Sequence, residues 1–234
     1  GFSQPAEAGT AQGGVRLEEA TLRVTGDRDL FDLEADAQGD LDGPFNVRTR
    51  ARADVLGEAQ AVYLDELEGV FQAQSIRLMS PATMRLDGGV LDVDQLDLRI
   101  GDARIQGNLN LDQPRDRARA ALVIDAFPMT MLAELGGPQF EGDLDGRFDL
   151  DGSLATPVIT GGLEIVGLKY GDPDHRADQS ADITFELQLD DAGLATETRI
   201  EGFGEEPLLA EFRLPMRLSL QPFAVDLPET AALD

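Results

Sequence analysis

The chain has 234 residues with 45 Asp and Glu against 19 Lys and Arg, a formal charge of −26, and yet 42% of it is hydrophobic. That aliphatic content excludes wholesale disorder, while the acid excess argues against nucleic acid and against adsorption to anionic membrane surfaces. Cysteine is absent and histidine occurs once, at His175, so zinc, iron–sulfur, thiol and His-dependent triad chemistries lose most of their ligands or bases.

The opening at Gly1, with neither a start Met nor a signal-peptide pattern, predicts a fragment of a longer protein. Residues 1–13, rich in Gly, Ala and Gln, read as a disordered N-terminal segment, and 14–234 as a single region. From there the dominant pattern is period-two alternation, the mark of half-buried strands. Phe45, Val47, Ala51, Ala53 and Val55 alternate with Arg48, Arg50, Arg52 and Asp54. Leu91 and Val93 are odd whereas Leu96, Leu98 and Ile100 are even, so a bulge or turn is predicted near Asp94–Gln95 to keep one apolar face. Pro128, Met131, Leu132 and Leu135 fall at i, i+3, i+4 and i+7 ahead of Gly136, which predicts a short helix over 128–135 that caps the sheet. Ile183, Phe185, Leu187 and Leu189 alternate with polar residues, as do Phe212, Leu214, Met216, Leu218 and Leu220. Pro215 stands in the polar phase of that last run, and its missing N–H predicts a bulge or an unpaired edge.

Glycine and aspartate punctuate the strands at Asp42-Gly43, Asp87-Gly88-Gly89, Gly101-Asp102, Asp151-Gly152 and Gly161-Gly162, and supply the positive φ of tight hairpins. With no room for helical crossovers, the expectation is an all-β antiparallel meander. The segments 39–45 and 142–148 match at six of seven positions (Gly-Asp-Leu-Asp-Gly-x-Phe), which predicts a repeated hairpin unit in an elongated array.

Chemistry is sparse. Asp40, Asp42, Asp143 and Asp145 lie beside glycines, but the spacing of calcium-binding repeats and loops is missing, so they read as turn-formers and surface charges. Chance carboxylate pairs are unavoidable among 45 acids, and no motif selects an acid and a nucleophile, so no enzyme, metal or cofactor is expected. His175 sits in a polar loop. Arg48, Arg50 and Arg52, like Arg115, Arg117 and Arg119, are expected to pair across strands with the acids rather than to form a headgroup patch.

The apolar phase is the informative feature. Phe45, Val47, Leu96, Leu98, Ile100, Leu109, Leu111, Leu122, Ile124, Phe148, Leu150, Leu163, Ile165, Ile183, Phe185, Leu187, Leu189, Phe212, Leu214, Leu218 and Leu220 are predicted to share one face of a long sheet. Such a face either closes into a sandwich or solenoid with a filled core, the outcome that periodicity alone favours, or stays open as a groove fitted to acyl chains.

The run Gly142-Asp-Leu-Asp-Gly-Arg-Phe-Asp-Leu-Asp-Gly152-Ser-Leu-Ala-Thr-Pro157, continuing to Gly162-Leu-Glu-Ile-Val-Gly-Leu, resembles the periplasmic part of the TamB family, the inner-membrane subunit of the translocation and assembly module. The segments Leu78-Met-Ser-Pro81, Gly88 to Gly101, Phe127 to Leu135 and Leu214 to Phe223 are similar in the same way, and the likeness extends over about residues 14–228. The related AsmA-like proteins share this Gly-x-Leu grammar. The resemblance implies a β-taco, a U-shaped sheet with an aliphatic interior. It also implies a periplasmic bridge, anchored in the inner membrane outside this stretch, that carries phospholipid acyl chains and supports outer-membrane biogenesis and autotransporter assembly. The partner implied is a TamA-like outer-membrane barrel, met through regions beyond this sequence.

Overall fold

The computed structural model describes residues 15–27, 30–41, 43–57, 59–71, 74–134, 140–170, 180–202 and 204–227. The strands are β1 (Val15–Asp27), β2 (Leu30–Leu41), β3 (Pro44–Asp54), β4 (Gln60–Phe71), β5 (Gln74–Leu78), β6 (Ala82–Asp87), β7 (Val90–Ile100), β8 (Ala103–Asp112) and β9 (Arg117–Pro128). After the helix α1 (Thr130–Glu134) come β10 (Phe140–Gly152), β11 (Pro157–Tyr170), β12 (Ala181–Asp190), β13 (Gly193–Glu201), β14 (Leu208–Leu214), β15 (Arg217–Leu220) and β16 (Phe223–Asp226). The first fourteen form one antiparallel sheet in which neighbours in sequence are neighbours in space; β15 and β16 form a separate two-stranded sheet. The one departure is that β5 and β6, interrupted at Pro81, lie in tandem between β4 and β7.

The turn residues act as the sequence predicts at two hairpins. Gly88 and Gly89, at φ 54 and 82°, form the two-residue β6–β7 turn, and Gly101, at φ 58°, opens the β7–β8 turn with Asp102.

Five strands carry a bulge, and each has the same effect. In β1 Leu17 is followed on the apolar face by Ala20, in β4 Leu64 by Leu67, in β7 Val93 by Leu96, in β9 Ile124 by Phe127, and in β11 Ile165 by Leu168. Two residues oppose one at each place, so the strand changes phase and the aliphatics stay on one side. The bulge expected at Asp94–Gln95 is there, with Gln95 at φ 49°. Two bulges are stapled by an aspartate across the strand: Asp145 Oδ1 accepts the Ala126 N–H at 2.8 Å, and Asp182 Oδ1 accepts that of Gly167 at 2.8 Å.

Four expectations are corrected. The strand read across Phe212–Leu220 breaks at Pro215 into β14 and β15, because proline cannot donate to the ladder and the chain leaves the sheet there. Gly161 and Gly162 lie inside β11, not in a turn. The helix begins later than expected, its described part being Thr130–Glu134: Pro128 remains in β9, paired with Asp143, while Leu135 and Gly136 lie outside the described residues. The two Gly-Asp-Leu-Asp-Gly segments are not equivalent, since the first bends from β2 into β3 and the second runs straight through β10. The difference is at Pro44 against Arg147, because proline opens a strand but cannot sit inside a ladder that needs its N–H. Residues 1–14 and His175 also lie outside the described residues.

Asp145→Ala is expected to lower stability by about 1 kcal/mol by freeing the Ala126 N–H, and Asp145→Asn, which keeps an acceptor, by less. Urea unfolding of the two variants checks this.

Candidate functional site: an apolar sheet face

Cross-strand register assigns every strand residue to a face. Phe45 and Val47 on β3, Leu96, Leu98 and Ile100 on β7, Leu109 and Leu111 on β8, and Leu122 and Ile124 on β9 share one side. Phe148 and Leu150 on β10, Leu163 and Ile165 on β11, Ile183, Phe185, Leu187 and Leu189 on β12, and Phe212 and Leu214 on β14 continue it. Leu218 and Leu220 do not belong to this face, because they sit on β15 beyond the Pro215 break. Residues not singled out from the sequence join it, among them Phe31, Leu33, Leu64, Leu67, Ile76, Leu78, Met84, Ile105, Phe127 and Leu144. Several could have been found from the bulge signal itself, an aliphatic spacing of three inside an otherwise alternating strand.

This face is half-covered by its own neighbours and by little else. The buried apolar residues among those described are Ala53, Ala82, Ala103, Ala118, Ala181, Met129, Met131, Leu154 and Leu189, with no Phe, Ile or Val. A sandwich closed on itself would bury just those larger side chains, so the described residues do not form a filled core. The face is concave over β7 to β11, where Val93, Leu96, Leu109, Leu122, Phe148, Leu150 and Ile159 line an open cavity of about 380 Å³. Phe148 lies directly opposite Gly161, and a Cβ at 161 would collide with the ring, so the glycine is what allows phenylalanine to lie down on the sheet and keep the cavity floor low. At one end of these strands α1 buries Met129 and Met131 and the Met129 N–H donates to Gly142 O at 2.8 Å. At the other end the Leu220 N–H of β15 donates to Leu154 O at 2.7 Å, beside the buried Pro157 and Leu189.

The opposite face is polar and organised in ladders. Arg48, Arg50 and Arg52 on β3 are each met by acids: Arg48 by Asp36 at 2.6 Å, Arg50 by Glu34 and Glu66 at 3.6 and 3.0 Å, and Arg52 by Asp65 at 2.7 Å. Arg104 pairs with Asp97 at 2.7 Å and Arg119 with Asp151 at 3.3 Å. These are exposed pairs, screened by water, and each contributes little to stability. A larger concavity of about 730 Å³ lies on this face over β1 to β5, lined by Thr21, Gln38, Arg48 and Glu68 among others. Arg48 and Asp36 in it pair with each other and Glu19 accepts from Gln38, and a wet charged hollow needs no occupant, whereas a bare aliphatic one does. Asp40 and Asp145 accept backbone N–H groups from Gly43 and Ala126. Among the described residues no cluster of three or more His, Asp or Glu is arranged to hold a metal, and no helix is long and apolar enough to cross a membrane.

One row breaks the charge pattern. Glu186, Glu197 and Glu211 stand directly opposite one another across β12, β13 and β14. Like charges in that position repel, and no cation separates them as Arg50 separates Glu34 from Glu66.

Compared with protein-family models, with curated proteins and with solved structures, the chain matches none. The class the structure defines is an all-β antiparallel meander whose large fourteen-stranded sheet has one apolar and one polar face.

Glu197→Lys is expected to stabilise the sheet by about 0.5–1 kcal/mol, with the gain shrinking as salt screens the row; thermal melts at low and high salt measure it. A second expectation concerns acid. Hydrogen bonding to Arg104 holds the Asp97 carboxyl below its ordinary value, so the pair stabilises the fold above that value and the contribution is lost as pH falls through the lowered one. The stability difference between wild type and Arg104→Gln is expected to be constant above the ordinary carboxylate range and to shrink progressively as pH falls below it, read from urea midpoints.

Proposed function

We propose that this chain is a stretch of a TamB-like periplasmic bridge, its sheet curled into a U with the apolar face inside, along which phospholipid acyl chains pass between the inner and outer membranes. The observation that supports this best is the alignment of aliphatics from β1 to β14 on one face, uncovered by any second large sheet among the described residues and hollowed across β7 to β11. Acyl chains are held by burial alone, at about 0.8 kcal/mol per methylene, with headgroups left at the open mouth in water. The hollow over β7 to β11 is lined almost entirely by aliphatic and aromatic side chains and offers no deep polar trap, so lipid slides rather than docks. The chain performs no chemistry; outer-membrane biogenesis, including autotransporter assembly, follows from lipid supply, and the TamA-like barrel is met by regions outside this sequence.

Leu122 and Val123 are adjacent in β9 and face opposite sides, which makes them a matched pair for photo-crosslinking. A benzoylphenylalanine at 122 is expected to capture phospholipid in cells and one at 123 not to, and native mass spectrometry of the purified chain should find bound phospholipid. Leu122→Asp should lower that occupancy at least about tenfold, the equivalent of two methylenes lost from the groove. A bare protein that also yields no adduct at 122 would instead indicate a structural or adhesin module.

A further inference from the structure

The apolar face changes character at β13, inside the sheet. Register puts Thr196 on that face between Leu187 and Phe212, and Thr198 between Phe185 and Ala210. No other side chain that register places on this face of β12 to β14 carries a polar group. Elsewhere on the apolar face the one threonine is Thr49, and its hydroxyl is already used, donating to Glu66 O at 3.0 Å. Thr196 and Thr198 are half-buried and make no hydrogen bond, and neither hydroxyl is sealed off.

Valine has the same branched shape, suits a strand as well and would have kept the face uniformly apolar. What threonine adds at these two positions is a hydrogen-bond donor. A hydrocarbon chain offers such a donor nothing, whereas an ester carbonyl is an acceptor with no donor of its own. Two residues apart on one strand, the threonines lie about 6.6 Å from each other. The two ester carbonyls of a diacyl glycerophospholipid hang from adjacent glycerol carbons and reach across that span. The reverse side of the sheet decides which acceptor is favoured. There Glu197, between the threonines in sequence, stands opposite Glu186 and Glu211, and their negative potential disfavours a carboxylate or phosphate at this place but not an uncharged carbonyl.

We propose that Thr196 and Thr198 form an ester-recognition step in the acyl-chain groove, at which a diacyl glycerophospholipid pauses with its carbonyls on the two hydroxyls and its phosphate in water. This rests on the groove reading above and adds a substrate class to it, ester-linked lipid in preference to chains without a carbonyl. The step is shallow, because one or two neutral hydrogen bonds in a partly wet place hold a lipid a few-fold more tightly without trapping it.

The test is a competition between two lipids. The chain is incubated with vesicles holding equal amounts of dioleoyl phosphatidylcholine and its dialkyl ether analogue, which lacks only the two carbonyls, and native mass spectrometry reads the lipid taken up. Wild type should carry the diacyl lipid over the ether by at least about threefold, the worth of a net hydrogen bond. Thr196→Val combined with Thr198→Val should bring that ratio close to one while uptake of the ether lipid, which needs only the apolar face and reports a folded sheet, stays as it was. Thr49→Val, which removes a hydroxyl already engaged, should leave the preference intact. Equal uptake of both lipids by wild type, or a preference that survives in the double variant, would overturn the ester step and leave the groove standing. A chain that takes up neither lipid would overturn the groove reading and the ester step with it.

Discussion

Everything in this fold depends on keeping aliphatic side chains on one side of a sheet of fourteen strands. Strand geometry alternates faces at every residue, so a single uncorrected slip would send a strand's whole apolar set into water. The chain meets this constraint with bulges placed where the phase slips, and at Ala126 and Gly167 a neighbouring aspartate accepts the N–H that the bulge leaves over. Asp145, one of the acids most easily mistaken for a metal ligand, is therefore part of the device that keeps the greasy face greasy. Asp65 serves the same end differently: it is the extra residue of the β4 bulge, and its displacement brings it onto Arg52.

Much of this was legible from the residues. Alternation identified the strands and their inward members, and the odd-to-even switch between Val93 and Leu96 located a bulge. What escaped was information that depends on the neighbour. Gly161 reads as a turn until Phe148 is known to lie across it. The two Gly-Asp-Leu-Asp-Gly segments look like one unit, and only the following Pro44 or Arg147 decides whether the chain turns or continues. Leu218 and Leu220 carry the right phase, but the proline ahead of them removes them from the sheet. The glutamate row could not be seen at all, because Glu186, Glu197 and Glu211 meet only once three registers are fixed.

The net charge of −26 takes on a different meaning once the faces are separated. On the described strands the acids gather on one surface, where arginines pair with them over β2 to β4 and over β7 to β10, whereas Glu186, Glu197 and Glu211 meet across β12 to β14 with no arginine between them. Charge on that side and aliphatics on the other leave very little interior. Stability must come from ladder hydrogen bonds and from side chains covering their lateral neighbours, which explains why the deepest burial falls on alanines crowded between larger residues.

The sequential strand order has a consequence for how such a chain changes over generations. Because each strand of the large sheet is secured almost entirely by the ones next to it, a hairpin inserted or deleted between two bulges would leave the remaining registers, the faces and the edge strands as they were. Reach thus becomes a quantity that varies in steps of two strands, set by the number of hairpins and separable from the chemistry of the surface. A sheet of a different width could be made by counting strands rather than by redesigning them.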